Sequence, residues 1–525
     1  MPEDSQPLSS SALVLINVFD QEEKEKDDDK IVVNHLISKV ASFYEKFRTA
    51  MDYGSEETIP RRAIERMLKR MLFLEADSKA LAQDLLRELV WAGYLPNATV
   101  PESIIIDVST SISLYLKLKN EISRKKFISS QDLNEFIIQT LSCEILHTLI
   151  PNKEKNTVAN FMFKNLKNSL TIDDDSEQTR DIQVFIAIRK SFAKDDIAFL
   201  QFRLFREIFG KLTEENFSEI LSGFESGYKE IKHQLSYPKK ERILNHIKKK
   251  TPPFLILYDI LSNEKGNIKN LVKNEKEFRE KIFETCDTKY QLIRRTIQTA
   301  IVRSVIFILT TKAILALAVE GTFESIFFDG IQWSSIALNT TLPPLIMVLV
   351  GLGIRTPGQQ NSEIIYKDIR KLLFEEDPSI TNHLSISLKS KGKKTLYDYL
   401  FSMLWFLSIV LTFGGIWYIL SLLNFNVVSK GIFIFFIAII SFLSYRIYQA
   451  ANSYSVIKKQ SLFTPFFDFL FIPIIRVGRG LTEGISQINF ILLVIDFLIE
   501  APFKGTIGFF EQWFLFAARK REELE

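Results

Sequence analysis

The chain has 525 residues, a quarter of them charged, and a net charge of +3. That length exceeds a single core. The near-neutral balance carries no strongly basic domain, so no nucleic-acid partner is expected. Two cysteines, Cys143 and Cys286, are too few for a disulfide framework and read as reduced thiols. The averages hide a division, because charge is concentrated before residue 300 and long apolar runs follow it.

Residues 1–30 read as a polar N-terminus and linker. Leu13–Phe19 fits a short strand or the start of a helix. Glu3 and Asp4 stand where a signal peptide would carry Lys or Arg, and no small-residue cleavage site precedes the acidic run at 20–30. From 31 to 265 the apolar spacing is helical. Val32, Leu36, Val40, Phe43 and Phe47 fall on one face, as do Ile59, Ala63, Met67, Met71 and Leu74. Pro60 fits the first turn of its helix. Asp77 and Gly93 bracket the next one. Further helices are expected over about 103–123, 130–149, 157–170, 181–193, 196–209, 214–235 and 239–250. Period-two strands are missing and no fixed repeat is visible, so an all-α soluble bundle or array is expected. Residues 266–301 then form a charged stalk helix of coiled-coil character that enters the first apolar run.

Catalytic signatures are absent. There is no Walker, dinucleotide or nucleophile-elbow glycine pattern, and no H-E-x-x-H. Cys143 and His147, four apart with Glu144 beside them, are two ligands short of a metal site. The triplet Asp173–Asp175 fails as a calcium loop, with Gln178 and Val184 where Gly and Glu belong. No catalytic residue, metal or cofactor is assigned. Lys239, Lys240, Arg242, Lys248, Lys249 and Lys250 surround Ile243, Leu244 and Ile247. They read as a solvated face, with a membrane-surface helix as the functional alternative. Arg294, Arg295 and Arg303 stand just before the first apolar run, as topology determinants.

Four apolar runs, 302–319, 336–354, 400–423 and 431–447, approach or reach the ~20 residues that cross about 30 Å of hydrocarbon. Their flanks alternate in charge. Glu320, Glu324 and Asp329 follow the first run without any Lys or Arg. The loop 355–399 holds Arg355, Lys367, Arg370, Lys371, Lys389, Lys391, Lys393 and Lys394, whereas the turn after the third run has only Lys430. This predicts four spans with both termini cytoplasmic in the cell (inner) membrane. Lys312 lies within the first span, with Glu320, Asp329 or a tail carboxylate as candidate partners. Asn339 precedes Pro343-Pro344, which should kink or break the second span. Gly414-Gly415 should allow close helix contact in the third. Within the loop, Glu363–Phe374 has helical spacing and fits packing on the soluble part.

The tail 449–525 reads as membrane-interfacial. Pro465 and Pro473 should confine Phe466–Ile472 to a short piece. Thr482–Glu500 reads as an amphipathic helix whose polar stripe includes Asp496 and Glu500, lying in the interface or packed on the bundle. Phe509, Phe510, Trp513, Phe514 and Phe516 suit an aromatic interfacial anchor. The expected role is non-enzymatic: a membrane-anchored scaffold or regulator whose helical domain binds a cytoplasmic protein partner. A transporter or channel using Lys312 and the proline break, oligomeric if four spans are to enclose a pore, is the alternative. A lipid-acting enzyme is the least supported.

Overall fold

A computed structural model describes residues 7–20, 30–33, 35–50, 56–72, 77–327, 333–376, 383–387, 396–456 and 464–486. It also describes Thr506, Phe509, Trp513, Phe516, Ala517 and Lys520. The described chain is helical almost throughout and divides into two units.

The first unit covers residues 8–251 with 376–388, and also includes 490–525. Its helices are α1 (Ser10–Phe19), α2 (His35–Ala50), α3 (Ile59–Met71), α4 (Ser78–Trp91), α5 (Ile104–Lys125) and α6 (Ser130–Leu149). They continue with α7 (Lys153–Leu166), α8 (Glu177–Ile188), α9 (Ile197–Phe209), α10 (Phe217–Leu235) and α11 (Lys240–Lys250). Hydroxyl and carboxylate side chains cap several of them. Ser129, Ser176 and Asp196 accept backbone N–H bonds at the starts of α6, α8 and α9. The core gathers around α6, which is buried nearly all round from Phe136 to Leu146, with one face of α3, α4, α5, α9 and α10. At its centre Phe136 meets Phe224 edge-to-face at 5.7 Å and Phe205 at 6.5 Å.

Of the two readings of Leu13–Phe19 the helical one holds, as α1. Other local expectations change. Residues 30–33 are extended, not helical: Ile31 exchanges backbone bonds with Val100 and Ala98, which buries Ile31 and Val33 and leaves Val32 exposed. Phe43 of α2 is also exposed. Finally, Leu170–Ile172 is a strand (β1), paired in parallel with Leu384–Ile386 (β2) from the loop at 355–399. The Asp173–Asp175 triplet serves this join. Ser385 donates to Asp173, Ser387 to Asp174 and Tyr237 to Asp175.

The second unit holds α12 (Pro252–Asn263), α13 (Ile268–Lys273), α14 (Glu275–Leu315), α15 (Thr322–Phe327), α16 (Trp333–Gly353) and α17 (Gln359–Phe374). Beyond β2 it holds α18 (Leu396–Leu422), α19 (Val427–Ala451) and α20 (Thr464–Ser486). Four of these helices are long and apolar enough to cross a membrane: α14 with its continuation to Glu320, α16, α18 and α19. Their pattern is inverted relative to a water-soluble fold. Ile306, Phe307, Leu349, Phe406 and Leu411 face outward, while Lys312, Glu320, Asn339, Ser408, Thr412 and Ser429 are buried. Apolar outside and polar inside is the arrangement that hydrocarbon selects.

The stalk and first span form one helix of 41 residues, α14. Its charged half packs on α12, α13 and α17, and its apolar half on α16 and α19. Asn361 of α17 joins these parts, donating to Tyr290 and to the Tyr454 carbonyl and accepting from Val456 N–H. The close helix approaches are not at Gly414-Gly415, where a side chain would meet nothing. They are at Gly351, against Ile301, and at Gly478, where a Cβ would lie 1.9 Å from the Ala438 carbonyl oxygen.

Pro473 does not end a short piece, because α20 runs through it. Lacking an N–H, Pro473 leaves the Phe469 carbonyl without its helical donor. Ser408 of α18 donates to that oxygen at 2.6 Å, and Thr412 donates to the next carbonyl, Leu470, at 3.0 Å. This helix therefore packs on α18 and α19. Of Thr482–Glu500, the first five residues belong to α20; 487–500, with Asp496 and Glu500, lie outside the described residues. Phe509, Trp513 and Phe516 are exposed.

Candidate functional site

The buried polar residues of the apolar bundle converge at one place. Lys312 is three residues before the end of α14 at Leu315, and a π-helical segment, Ala316–Gly321, follows directly. In an unbroken α-helix residues eight apart lie about 80° apart around the axis. The π segment takes in an extra residue and returns Glu320 to the Lys312 face. Lys312 Nζ lies 3.8 Å from Glu320 Oε1, and both side chains are completely buried.

Two further helices complete the shell around the Glu320 carboxylate. Asn339 of α16 donates Nδ2 to both of its oxygens, at 2.8 and 2.7 Å. Ser429, in the first turn of α19, donates its hydroxyl to Oε2 at 2.9 Å and is fixed by the Asn426 cap. Lys312 Nζ also sits 4.8 Å from the centre of the Phe436 ring of α19, a cation–π distance. Within the apolar bundle the carboxylate thus accepts from two helices, through Asn339 and Ser429, and has the Lys312 ammonium of a third within ion-pair distance. The opposite balance holds at two atoms. Lys312 Nζ and Asn339 Oδ1 are buried without a hydrogen-bond partner.

Pro343 and Pro344 are buried inside α16, which continues through them, so the expected break is absent. Their missing N–H groups instead remove the helical donors of the Asn339 and Thr340 carbonyls, one turn back. The prolines therefore act on the cluster's own turn without opening the helix.

The packing of α11 speaks against the membrane-surface alternative for its basic residues. Ile243 and Ile247, which a surface helix would sink into lipid, are buried against α8. Arg242, Lys248 and Lys249 are exposed, Lys240 donates to the Leu235 carbonyl, and Lys239 is partly buried. Lys250 Nζ is enclosed without a partner, and burial pulls its pKa down to about 7, which weakens it as a fixed cation. Arg294 and Arg295 are exposed on α14.

Cys143 packs with Ala198 and Phe202, Glu144 pairs with Arg206 at 3.0 Å, and the His147 ring rests near Phe202. Each of the three is thus engaged separately. No family model, curated protein or solved structure matches the chain.

Proposed function

We propose that this chain is a multi-pass membrane protein with a regulatory or anchoring role, whose helical extramembrane part binds a protein partner on the cytoplasmic side. One observation carries the reading. A single helix, α14, packs on α12, α13 and α17 with one half and on α16 and α19 with the other, so a load on these helices is transmitted into the bundle without a hinge. The saturated shell around Glu320 supports the same role, because it clasps three spans together. The alternation of flanking charge supports both termini on the cytoplasmic face of the cell (inner) membrane. Cysteines at Thr322 and Lys367 test this, with the first reachable by an impermeant thiol reagent only from outside and the second only from inside. Crosslinking in native membranes tests the role, with a protein partner in defined stoichiometry as the expected result.

A second reading, transport of an ion or small solute, is favoured by the two unpartnered atoms Lys312 Nζ and Asn339 Oδ1. Flux in proteoliposomes that is abolished by Lys312→Leu, with no partner captured from membranes, would establish it in place of the first.

A further inference from the structure

A second polar centre lies in the first unit, in a cavity of about 60 Å³. Its walls come from α6, α7, α9 and the π-helical segment Arg189–Ala193 that follows α8. The groups that matter are His147, Lys155, Asn156, Arg189, Lys194 and Arg203. Arg189 and Arg203 both donate to one neutral atom, Asn156 Oδ1, at 3.0 Å each. Two guanidiniums are thereby gathered on an acceptor that carries no charge. Arg189 has a carboxylate in Asp195 at 2.7 Å, and Lys155 has Glu57 at 3.4 Å. Among the described residues, Arg203 and Lys194 form no ion pair, although Asp195 favours the charge of the first and Glu57 that of the second from farther off. Arg203 Nε is buried and has no hydrogen-bond acceptor.

The backbone also departs from the ordinary here. The π segment ends in Lys194 with φ +60°, a left-handed residue that is not glycine. Such a conformation costs on the order of 1–2 kcal/mol and persists where the surroundings enforce it. The local field is positive. Burial, with Arg203, Arg206 and Arg189 close by, holds the His147 imidazole down to about 4, so it stands neutral. Burial and Arg189 lower Arg203 itself to about 10. Two guanidiniums side by side on a neutral acceptor and a lysine at the exposed rim match the oxygens of a tetrahedral oxyanion.

We infer that this cavity is a binding site for a phosphate group, held by Arg203, Arg189 and Lys194 and reached past the exposed rim residues Ile150 and Asn152. The volume accommodates several water-sized groups. That suits free phosphate, or the phosphoryl end of a small phosphomonoester whose remainder stays at the rim.

The test is calorimetric titration of the full chain in detergent with inorganic phosphate at constant ionic strength, together with its thermal unfolding. Saturable binding is expected, weakened roughly tenfold or more in Arg203→Gln, the loss of a charge-assisted bond. Lys194→Gln, on the exposed rim, should weaken it less and keeps the test decisive if Arg203→Gln does not fold. Glycerol phosphate as a second probe separates the sources. Tighter binding of the ester identifies a metabolite's phosphoryl group, and equal or weaker binding identifies the free ion. The inference is overturned if phosphate acts no differently from chloride, if malonate binds as well as phosphate, or if the folded variants respond like the unaltered chain.

Discussion

Glu320 follows Lys312 by eight residues in the same helical run, yet the two charges are 3.8 Å apart. The π segment between them is what brings them together, and the pair lies wholly inside an apolar bundle. Separating the partners in such a setting is costly, because each would remain as an isolated buried charge.

The first prediction follows from that asymmetry. Lys312→Met or Glu320→Gln alone should destabilise the detergent-solubilised protein by about 3–5 kcal/mol, whereas the double variant should recover most of the loss. Thermal unfolding of the four proteins reads this directly. Strict additivity of the two single effects would show that the charges are not coupled.

Asn339 supplies two of the donors to the carboxylate. Asn339→Leu should cost about 1.5–3 kcal/mol, the value of a hydrogen bond to a charged group. Asn339→Asp should be worse, since it sets a second carboxylate against Glu320. A ranking in which Asp is tolerated better than Leu would contradict the shell described here.

Helix contact gives a third, contrasting pair. Gly478→Ala places a methyl group 1.9 Å from the Ala438 carbonyl oxygen and should push α20 off α19. Gly414→Ala and Gly415→Ala meet nothing and should leave stability within about 0.5 kcal/mol, or raise it slightly through helix propensity. Melting temperature and disulfide trapping between cysteines placed on α19 and α20 measure both arms.

Two histidines set an acid response. His147 and His246 are held to about 4, mainly by burial and then by neighbouring cations, against an ordinary value of 6.5. The unfolded chain therefore takes up their protons first. Their contribution to stability is complete above pH 6.5 and is lost as pH falls from 6.5 towards 4. Unfolding midpoints across that window should decline, and His147→Gln with His246→Gln should flatten the decline. An unchanged slope in the double variant would remove these groups as its cause.

Helices were legible wherever one face carries the apolar residues, as over α3 to α6 and α8 to α11, and the four apolar runs announced themselves by length. Lys312 stood out because a charge in an apolar run is costly, and Glu320 was one of three partners that reach permits. Nothing local in the residues marks the π segment that chooses it. Residues 30–33 were misread because Ile31, Val32 and Val33 fit either period, and pairing with the distant stretch 98–101 decides between them. The phosphate pocket was invisible for a related reason. Asn156, Arg189 and Arg203 come from separate segments, and their convergence is purely tertiary. Pro473 was read as a stop because a lone chain cannot replace the donor it removes; Ser408 lies 61 residues away in sequence.

That hydroxyl has a consequence for how the protein is made. Ser408 replaces the donor that Pro473 removes from the Phe469 carbonyl, so α20 gains this bond only once α18 is in place to receive it. Helix α20 is thus a late arrival that docks onto finished neighbours. A Ser408→Ala, Thr412→Val protein should insert its earlier spans normally and then stall with α20 open to protease.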